Sequence, residues 1–529
     1  MKETPLFVGT NCAAFSAFYD KNTSETNMAD GRIPSLLTLK SGKYKGNIIA
    51  AADKASCGAD WGFIEIAVRV SEDNGESFSP LKTIFTPPVR EYPFDGEEYT
   101  SAFAIDPLMM ESDDGKVIML VDFYPECKGL HNRSLLEKGS GYVLTDTGFA
   151  LTVYSGKTKL DGMFVRKGKE YTLQSDGFVY DEKGRKTRYY VPLKHSAEHG
   201  YSTVGDMYYC VGETPSYLDK EPPLIPEQKE NADIYVGNIY VSKGKNTFKE
   251  DAPVFVGKKK IYDKDGKFLC VSTSPAPLRA PMISYIFKQE STDGGKTFSQ
   301  PVDITPYYKR NSDGVFLGVG PGVGITLADE KNKGRILAPC YILNKALVLI
   351  SDDEGKTWRR NKGEFCENID ECQLVEMPDG KVFCFGRPKG GGKIPFSVSD
   401  DGGENFRKLS PVLPEIAQCQ HSVINVPMDF ILPDNLENDG RYILLSAPTG
   451  HGGKDRTRTD GKVFFGRIDD ETVSWIKSYD VTDKEKYSSF EKYSDFFAYS
   501  CLSVLADNSV GILYEAYPSG YMTFAKFTL

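Results

Sequence analysis

The chain has 529 residues, with 50 Gly, 30 Pro, 30 Tyr, 31 Phe and a net charge of −10. This length and composition suit a large core built from many short strands joined by turns. The acidic balance argues against generic nucleic-acid binding, and no apolar run is long enough to span a membrane. Met1–Val8 lacks the apolar core of a signal peptide, so the expected location is the cytoplasm, or outside the cell with a signal already removed. The 11 Cys are odd in number and scattered, without CxxC or metal-ligand spacing, which favours free thiols and predicts no metal or other cofactor.

In chain order, Gly31-Arg32-Ile33-Pro34-Ser35 opens the first convincing strand. Arg32 is oddly placed, at a strand start and close to a Pro that interrupts pairing, and taken alone it reads as a surface charge. Lys54 to Trp61 is a loop, where Asp60 reads as a turn cap or as a carboxyl of raised pKa; the local sequence favours the cap. Alternating Ile64, Ile66, Val68 and Val70 form a strand that ends in Ser71-Glu-Asp73-Asn-Gly75-Glu-Ser-Phe78. Ala104-Ile105-Asp106-Pro107 leads into another buried strand, Lys116 to Phe123.

From about Phe149 to Leu278 the sequence is polar, alternating and rich in Lys and Asp, and it reads as a β-rich insertion between two blades. The expected division is therefore residues 1–148 and 279–529 for one fold and 149–278 for a graft that could be excised. His195 and His199 lie four apart but have no third ligand in view, so they read as surface histidines. The octet then recurs as Ser291-Thr-Asp293-Gly-Gly295-Lys-Thr-Phe298, Ser351-Asp-Asp353-Glu-Gly355-Lys-Thr-Trp358 and Ser399-Asp-Asp401-Gly-Gly403-Glu-Asn-Phe406. Asp bonds its following backbone and Gly reverses the chain at positive φ, so each copy predicts a hairpin turn. Four copies predict a repeat architecture, a propeller or a solenoid. Without the insertion about 400 residues remain, which at roughly 40–50 residues per blade plus loops suits six blades better than eight. The C-terminal strands are expected to close the ring by joining the first blade.

The octet is the Asp-box. With it come Arg32-Ile33-Pro34, Asp60-Trp61, Glu371-Cys372-Gln373 followed by Arg387, Arg458-Thr-Asp-Gly461 and Tyr499-Ser-Cys-Leu502. In this order the set resembles the bacterial exo-sialidases, all-β six-bladed β-propellers, and in particular the larger Gram-positive members with an inserted β-domain. The resemblance implies that Arg32, Arg387 and Arg458 clamp the sialic acid carboxylate and that Tyr499 is the nucleophile, with Glu371 as its base. It implies that Asp60 is the acid/base and that Asp106 lines the sugar pocket. Lys54 stands near the place of a further family arginine, where it offers a point charge instead of a fork; if the loop is one residue shorter, Ala55 takes that place and Lys54 faces solvent. Singly, each residue has a bland reading: Tyr499 as core filler, Glu371 as an exposed strand-end carboxylate, each Arg as a solvated charge.

The implied activity is a retaining exo-α-sialidase acting as a monomer on sialylated glycans or glycoproteins. The alternatives are an intramolecular trans-sialidase or sialic-acid-eliminating relative and, in another class, a non-catalytic Asp-box propeller that binds glycans or proteins.

Overall fold

A computed structural model describes residues 2–8, 30–55, 60, 62–90, 101–126, 129–155, 158–159, 164–165, 168–193, 203–222, 229–241, 248–249, 256–262, 268–410, 412–450, 457–482, 495–517 and 521–529. His195, His199 and Trp61 lie outside the described residues. Among the described residues the strands form six antiparallel units of a propeller, each with four strands at its core.

Blade 1 is Asp30–Thr38, Ile48–Ala55, Ile64–Ser71 and Lys82–Phe85. Blade 2 runs Phe103–Glu111, Val117–Tyr124, Tyr285–Ser291 and Val302–Asp303. Blade 3 is Leu317–Val319, Ile336–Ile342, Asn344–Ser351 and Arg359–Arg360, and blade 4 is Phe365–Glu376, Val382–Pro388, Phe396–Ser399 and Arg407–Leu409. Blade 5 is Ser422–Asn425, Tyr442–Pro448, Gly461–Asp469 and Thr472–Asp480. Blade 6 takes Ser500–Val504, Val510–Tyr517 and Tyr521–Phe527 from the C-terminus, and its outer strand is Lys2–Val8 from the N-terminus. Closure therefore differs from the expectation: the C-terminal strands do not enter blade 1. The first strand of the chain instead covers the edge of the last, pairing Lys2 with Lys526 and Val8 with Tyr521.

All four Asp-boxes join the third and fourth strands of their blades and share one geometry. In the third copy the Ser351 hydroxyl donates to Asp353 Oδ1 at 2.9 Å, Gly355 N–H donates to Ser351 Oγ at 2.8 Å, and Thr357 N–H donates to Asp353 Oδ1 at 2.8 Å. Ser71, Ser291 and Ser399 begin the same three bonds in the other copies. Gly355 has φ +82, and a Cβ there would meet Ile118 at 2.4 Å, so the position excludes side chains.

The insertion enters within blade 2, between its second and third strands. Phe123 pairs with Tyr285 and the ladder continues to Val117 opposite Ser291, so strands far apart in sequence complete one blade. The inserted sheet begins at Tyr142–Thr145 and returns through Leu278–Arg279, which pairs with Gly148–Ser155. Its core is continuous with that of blade 2. Tyr240 of the insertion packs edge-on against Phe123 of blade 2 at 4.9 Å and Tyr285 at 5.7 Å, within one continuous apolar cluster. Excision would expose the core of blade 2.

Candidate active site

In an antiparallel blade, the start of the first strand and the connection from second to third strand lie at one end of the ring. The Asp-box turns lie at the other. The residues that line a cavity of about 460 Å³ come from the first end: Arg32 and Asp60 from blade 1, Asp106 from blade 2, Glu371 and Arg387 from blade 4, Arg458 from blade 5 and Tyr499 from blade 6. The insertion springs from this end too.

Backbone irregularities aim these side chains. The ladder of blade 1 slips between Arg32 and Ser35, and Ile33 adopts φ 55, an uncommon value for a β-branched residue. Its N–H is held by Glu515 Oε1 at 3.0 Å. Blade 2 repeats the device: the register slips between Ile105 and Leu108, with Asp106 at φ 65 before Pro107. In blade 4 the slip falls between Ile369 and Cys372 and brackets Glu371. Such local strain persists only where its surroundings enforce it.

At the centre, the Tyr499 hydroxyl donates to Glu371 Oε1 at 2.9 Å and accepts from Arg387 Nη1 at 2.9 Å. The same Nη1 reaches both Glu371 oxygens, at 2.7 and 2.6 Å. The guanidinium carbons of Arg458, Arg387 and Arg32 stand 5.5, 5.8 and 6.0 Å from the Tyr499 ring centre, so three cations surround one phenol. The Gln418 carbonyl accepts from Arg387 Nη2 at 3.3 Å and from Arg458 Nη2 at 3.5 Å, tying two of them together. Arg32 bonds Asp60 through Nη1 and approaches Glu515 through Nε at 3.3 Å. A guanidinium has five donors, so each keeps N–H groups for a ligand carboxylate.

The electrostatics follow from this crowding. Burial pushes the Tyr499 phenol well above its ordinary value; Glu371 adds to the push, while Arg387 and Arg458 oppose it. The phenol is thus neutral at rest. Burial also works to raise Asp60, but Arg32 and His131 outweigh it and hold the carboxyl below its usual range. Asp106 is raised well above that range by burial and by the carboxylates of Glu371 and Asp60; its N–H donates to Asp53, itself raised by burial and by Asp106. Asp106, which lines the cavity with Asp53 behind it, is thereby biased towards the protonated form that could donate to a sugar.

Lys54 does not belong to this cavity. Its Nζ donates to Glu65 Oε2 at 2.6 Å and to Thr83 Oγ1 at 3.2 Å, beside the outer strand of blade 1. Strand alternation explains it: Asp53 faces Asp106, and the next side chain points the other way. Neither the substrate contact nor the solvent-facing alternative describes Lys54, which pairs with a buried carboxylate. Three contributors were missed in the sequence: Glu515, the Gln418 carbonyl and His131. Only Glu515 leaves a trace there, as an acidic residue inside the apolar strand Val510–Tyr517. Among the described residues, no group of three His, Cys, Asp or Glu side chains is arranged to hold a metal, and no helix is long and apolar enough to cross a membrane.

The BNR repeat-like domain family matches residues 262–512. The chain is 28% identical to an anhydrosialidase of Macrobdella decora over 95% of its own length and 59% of that protein. It is 25% identical to sialidase B of Streptococcus pneumoniae over 92% of its length and 62% of that protein. It thus spans about three fifths of these two curated relatives. A solved intramolecular trans-sialidase from Ruminococcus gnavus superposes with TM-score 0.66 at 22% identity, covering 96% of this chain and 98% of that one. Over nearly its whole length the chain is thus similar to an anhydrosialidase and a sialidase, and it shares the fold of a solved intramolecular trans-sialidase.

Proposed function

We propose that this protein is a retaining exo-α-sialidase that releases terminal sialic acid from glycans and glycoproteins. The observation that carries the reading is the Tyr499 hydroxyl held between Glu371 and Arg387, each at 2.9 Å, inside the ring of three arginines. Sialic acid bears a carboxylate on its anomeric carbon. Planar, charge-assisted forks from Arg32, Arg387 and Arg458 suit that group. A carboxylate nucleophile would be repelled by it, whereas a neutral phenol is not; a Tyr nucleophile is the sialidases' known departure from the paired-carboxylate glycosidases.

In the first step Tyr499 Oη attacks the anomeric carbon as Glu371 takes the phenol proton. The bond to the leaving oxygen breaks, and Asp60 gives that oxygen a proton. On substrate binding, before this step, Arg32 exchanges Asp60 for the substrate carboxylate. The new negative charge beside Asp60 works to raise its pKa and so favours the acid form. In the second step Asp60 takes a proton from water, whose oxygen displaces Tyr499 with net retention, and Glu371 returns its proton to the departing phenol oxygen.

A second reading keeps the first step and replaces water with a hydroxyl of the bound sugar itself, giving an anhydro product. The names of the leech and Ruminococcus gnavus relatives favour it, and the latter's chain is covered almost completely. Incubating the protein with sialyllactose and following the products by NMR distinguishes the two: free sialic acid supports hydrolysis, and a 2,7-anhydro sugar supports transfer. Binding without any bond cleavage would instead support a non-catalytic propeller.

A further inference from the structure

The two oxygens of Asp60 face different parts of the molecule. One is bonded to Arg32 at the start of blade 1. The other, Oδ2, lies 3.2 Å from Nε2 of His131. His131 belongs to the 3₁₀ segment Gly129–Leu135, which carries the chain from blade 2 towards the inserted sheet, and it lines the same cavity as Asp60. The mechanism above uses Asp60 and gives His131 no part.

We propose that His131 is a positioning residue for the acid/base: its Nε2–H holds Oδ2 of Asp60, so that the opposite oxygen meets the leaving group once Arg32 has turned to the substrate carboxylate. This inference rests on the assignment of Asp60 as the acid/base.

The argument begins with competition. Arg32 cannot give its Nη1 to Asp60 and to the substrate carboxylate at once. A carboxyl released by its guanidinium regains rotation about its own axis, and misplacement of a proton donor by a fraction of an ångström is costly to proton transfer. A second hydrogen bond on the far oxygen removes that freedom, whichever protonation state the carboxyl is in.

The same bond sets the protonation balance. A donor on Oδ2 favours the carboxylate over the acid. Facing Asp60 are Arg32 from blade 1, His131 from the blade 2 connection and, through space, the buried Asp53 and Asp106. Arg32 and His131 lower its pKa against burial; Asp106 and a bound substrate carboxylate push the other way. With Arg32 committed to substrate, His131 remains as the opposing donor. Removing it therefore raises the pKa of Asp60 in the substrate complex, and the alkaline limb of kcat, which requires protonated Asp60 there, moves to higher pH.

The test measures kcat and kcat/KM against pH for sialyllactose and for an aryl sialoside, with His131→Ala, His131→Gln and Asp60→Ala beside the wild type. Asp60→Ala should lose far more on sialyllactose than on the aryl sialoside, whose leaving group needs little protonation. His131→Ala should reduce kcat/KM on sialyllactose by about tenfold and on the aryl sialoside by less than about threefold. It should also move the alkaline limb up by about half a pH unit or more. His131→Gln places an amide N–H near the position of Nε2 and should recover most of the loss. An unmoved limb together with equal losses on both substrates overturns the proposal if Asp60→Ala keeps its leaving-group selectivity. If Asp60→Ala shows no such selectivity, or the wild type cleaves neither substrate, the role of Asp60 fails first and that of His131 falls with it.

Discussion

The two ends of the propeller solve opposite problems. At the Asp-box end, the defining Ser and Asp of the motif are answered within their own octet: Asp353 accepts from Ser351 and Thr357, and Ser351 from Gly355. At the cavity end, partners come from across the chain. Glu515 holds the backbone of Ile33 from 482 residues away, and Tyr499 meets Glu371 across 128. One end has turns closed by their own side chains, even where Asn74 and Glu354 adopt positive φ. The other has slipped registers with Ile33 and Asp106 at positive φ inside strands, and buried charges, each of which costs stability. That cost is tolerated where the strained groups are the ones that act, so the contrast separates the scaffold from the chemistry.

The largest effect that would sharpen this contrast is at Tyr499. Tyr499→Phe keeps the ring inside its three guanidiniums and removes only the phenol oxygen. Turnover should fall at least about 10³-fold on every sialoside, roughly 4 kcal/mol of barrier, while the melting temperature changes little. Turnover near the wild-type rate would remove Tyr499 from the reaction.

Next is Asp60→Ala, whose loss should depend on the leaving group. It should be about 10²-fold or more on sialyllactose and far smaller on an aryl sialoside. Equal losses on the two substrates would place Asp60 in binding instead of proton transfer.

At the opposite end, Asp353→Ala should leave kcat/KM unchanged at assay temperature and lower stability by about 2 kcal/mol, read by thermal unfolding. Burial would raise the Asp353 pKa, but its hydrogen bonds to Thr357 and Ser351 lower it. A carboxylate depressed in the folded state stabilises above its unfolded pKa of about 3.9, and the gain is lost as pH falls through the folded value. The difference between variant and wild type should therefore shrink in acid below about pH 4. A variant that kept its stability but lost activity would break the division between the two ends.

The smallest effect on activity is expected at Lys54. Lys54→Ala should change kcat/KM by less than about twofold for any sialic acid, yet lower the melting temperature, because Glu65 is left buried without its ammonium partner. A shift in preference among differently substituted sialic acids would return Lys54 to the substrate.

What could be read in advance follows the same contrast. The Asp-box is a local object whose bonds join residues at most 4 apart, so its four copies announced the hairpins and the repeat. Arg32, Asp60, Glu371, Arg387, Arg458 and Tyr499 were reachable through their ordered resemblance to a family; nothing local distinguishes Tyr499 from a core tyrosine. Glu515, His131 and the Gln418 carbonyl act across the ring, and a backbone carbonyl leaves no trace in side-chain patterns. The entry of the insertion depends on Phe123 pairing with Tyr285 across the whole inserted segment, which no strand pattern on either side reveals. Lys54 misled because its number lay close to Asp60, while alternation along the strand turned it to the other face.

The most direct test of the account is to trap the intermediate. A 2,3-difluorosialic acid carries a good leaving group, and its fluorine at C3 disfavours the electron-poor transition state by which the sugar leaves the enzyme. Peptide mapping by mass spectrometry after incubation should find one sialyl adduct, on Tyr499, and none on Tyr499→Phe. An adduct on Glu371 or Asp60, or none on a protein that turns over sialosides, would contradict the nucleophile and with it the role given to the three arginines around it.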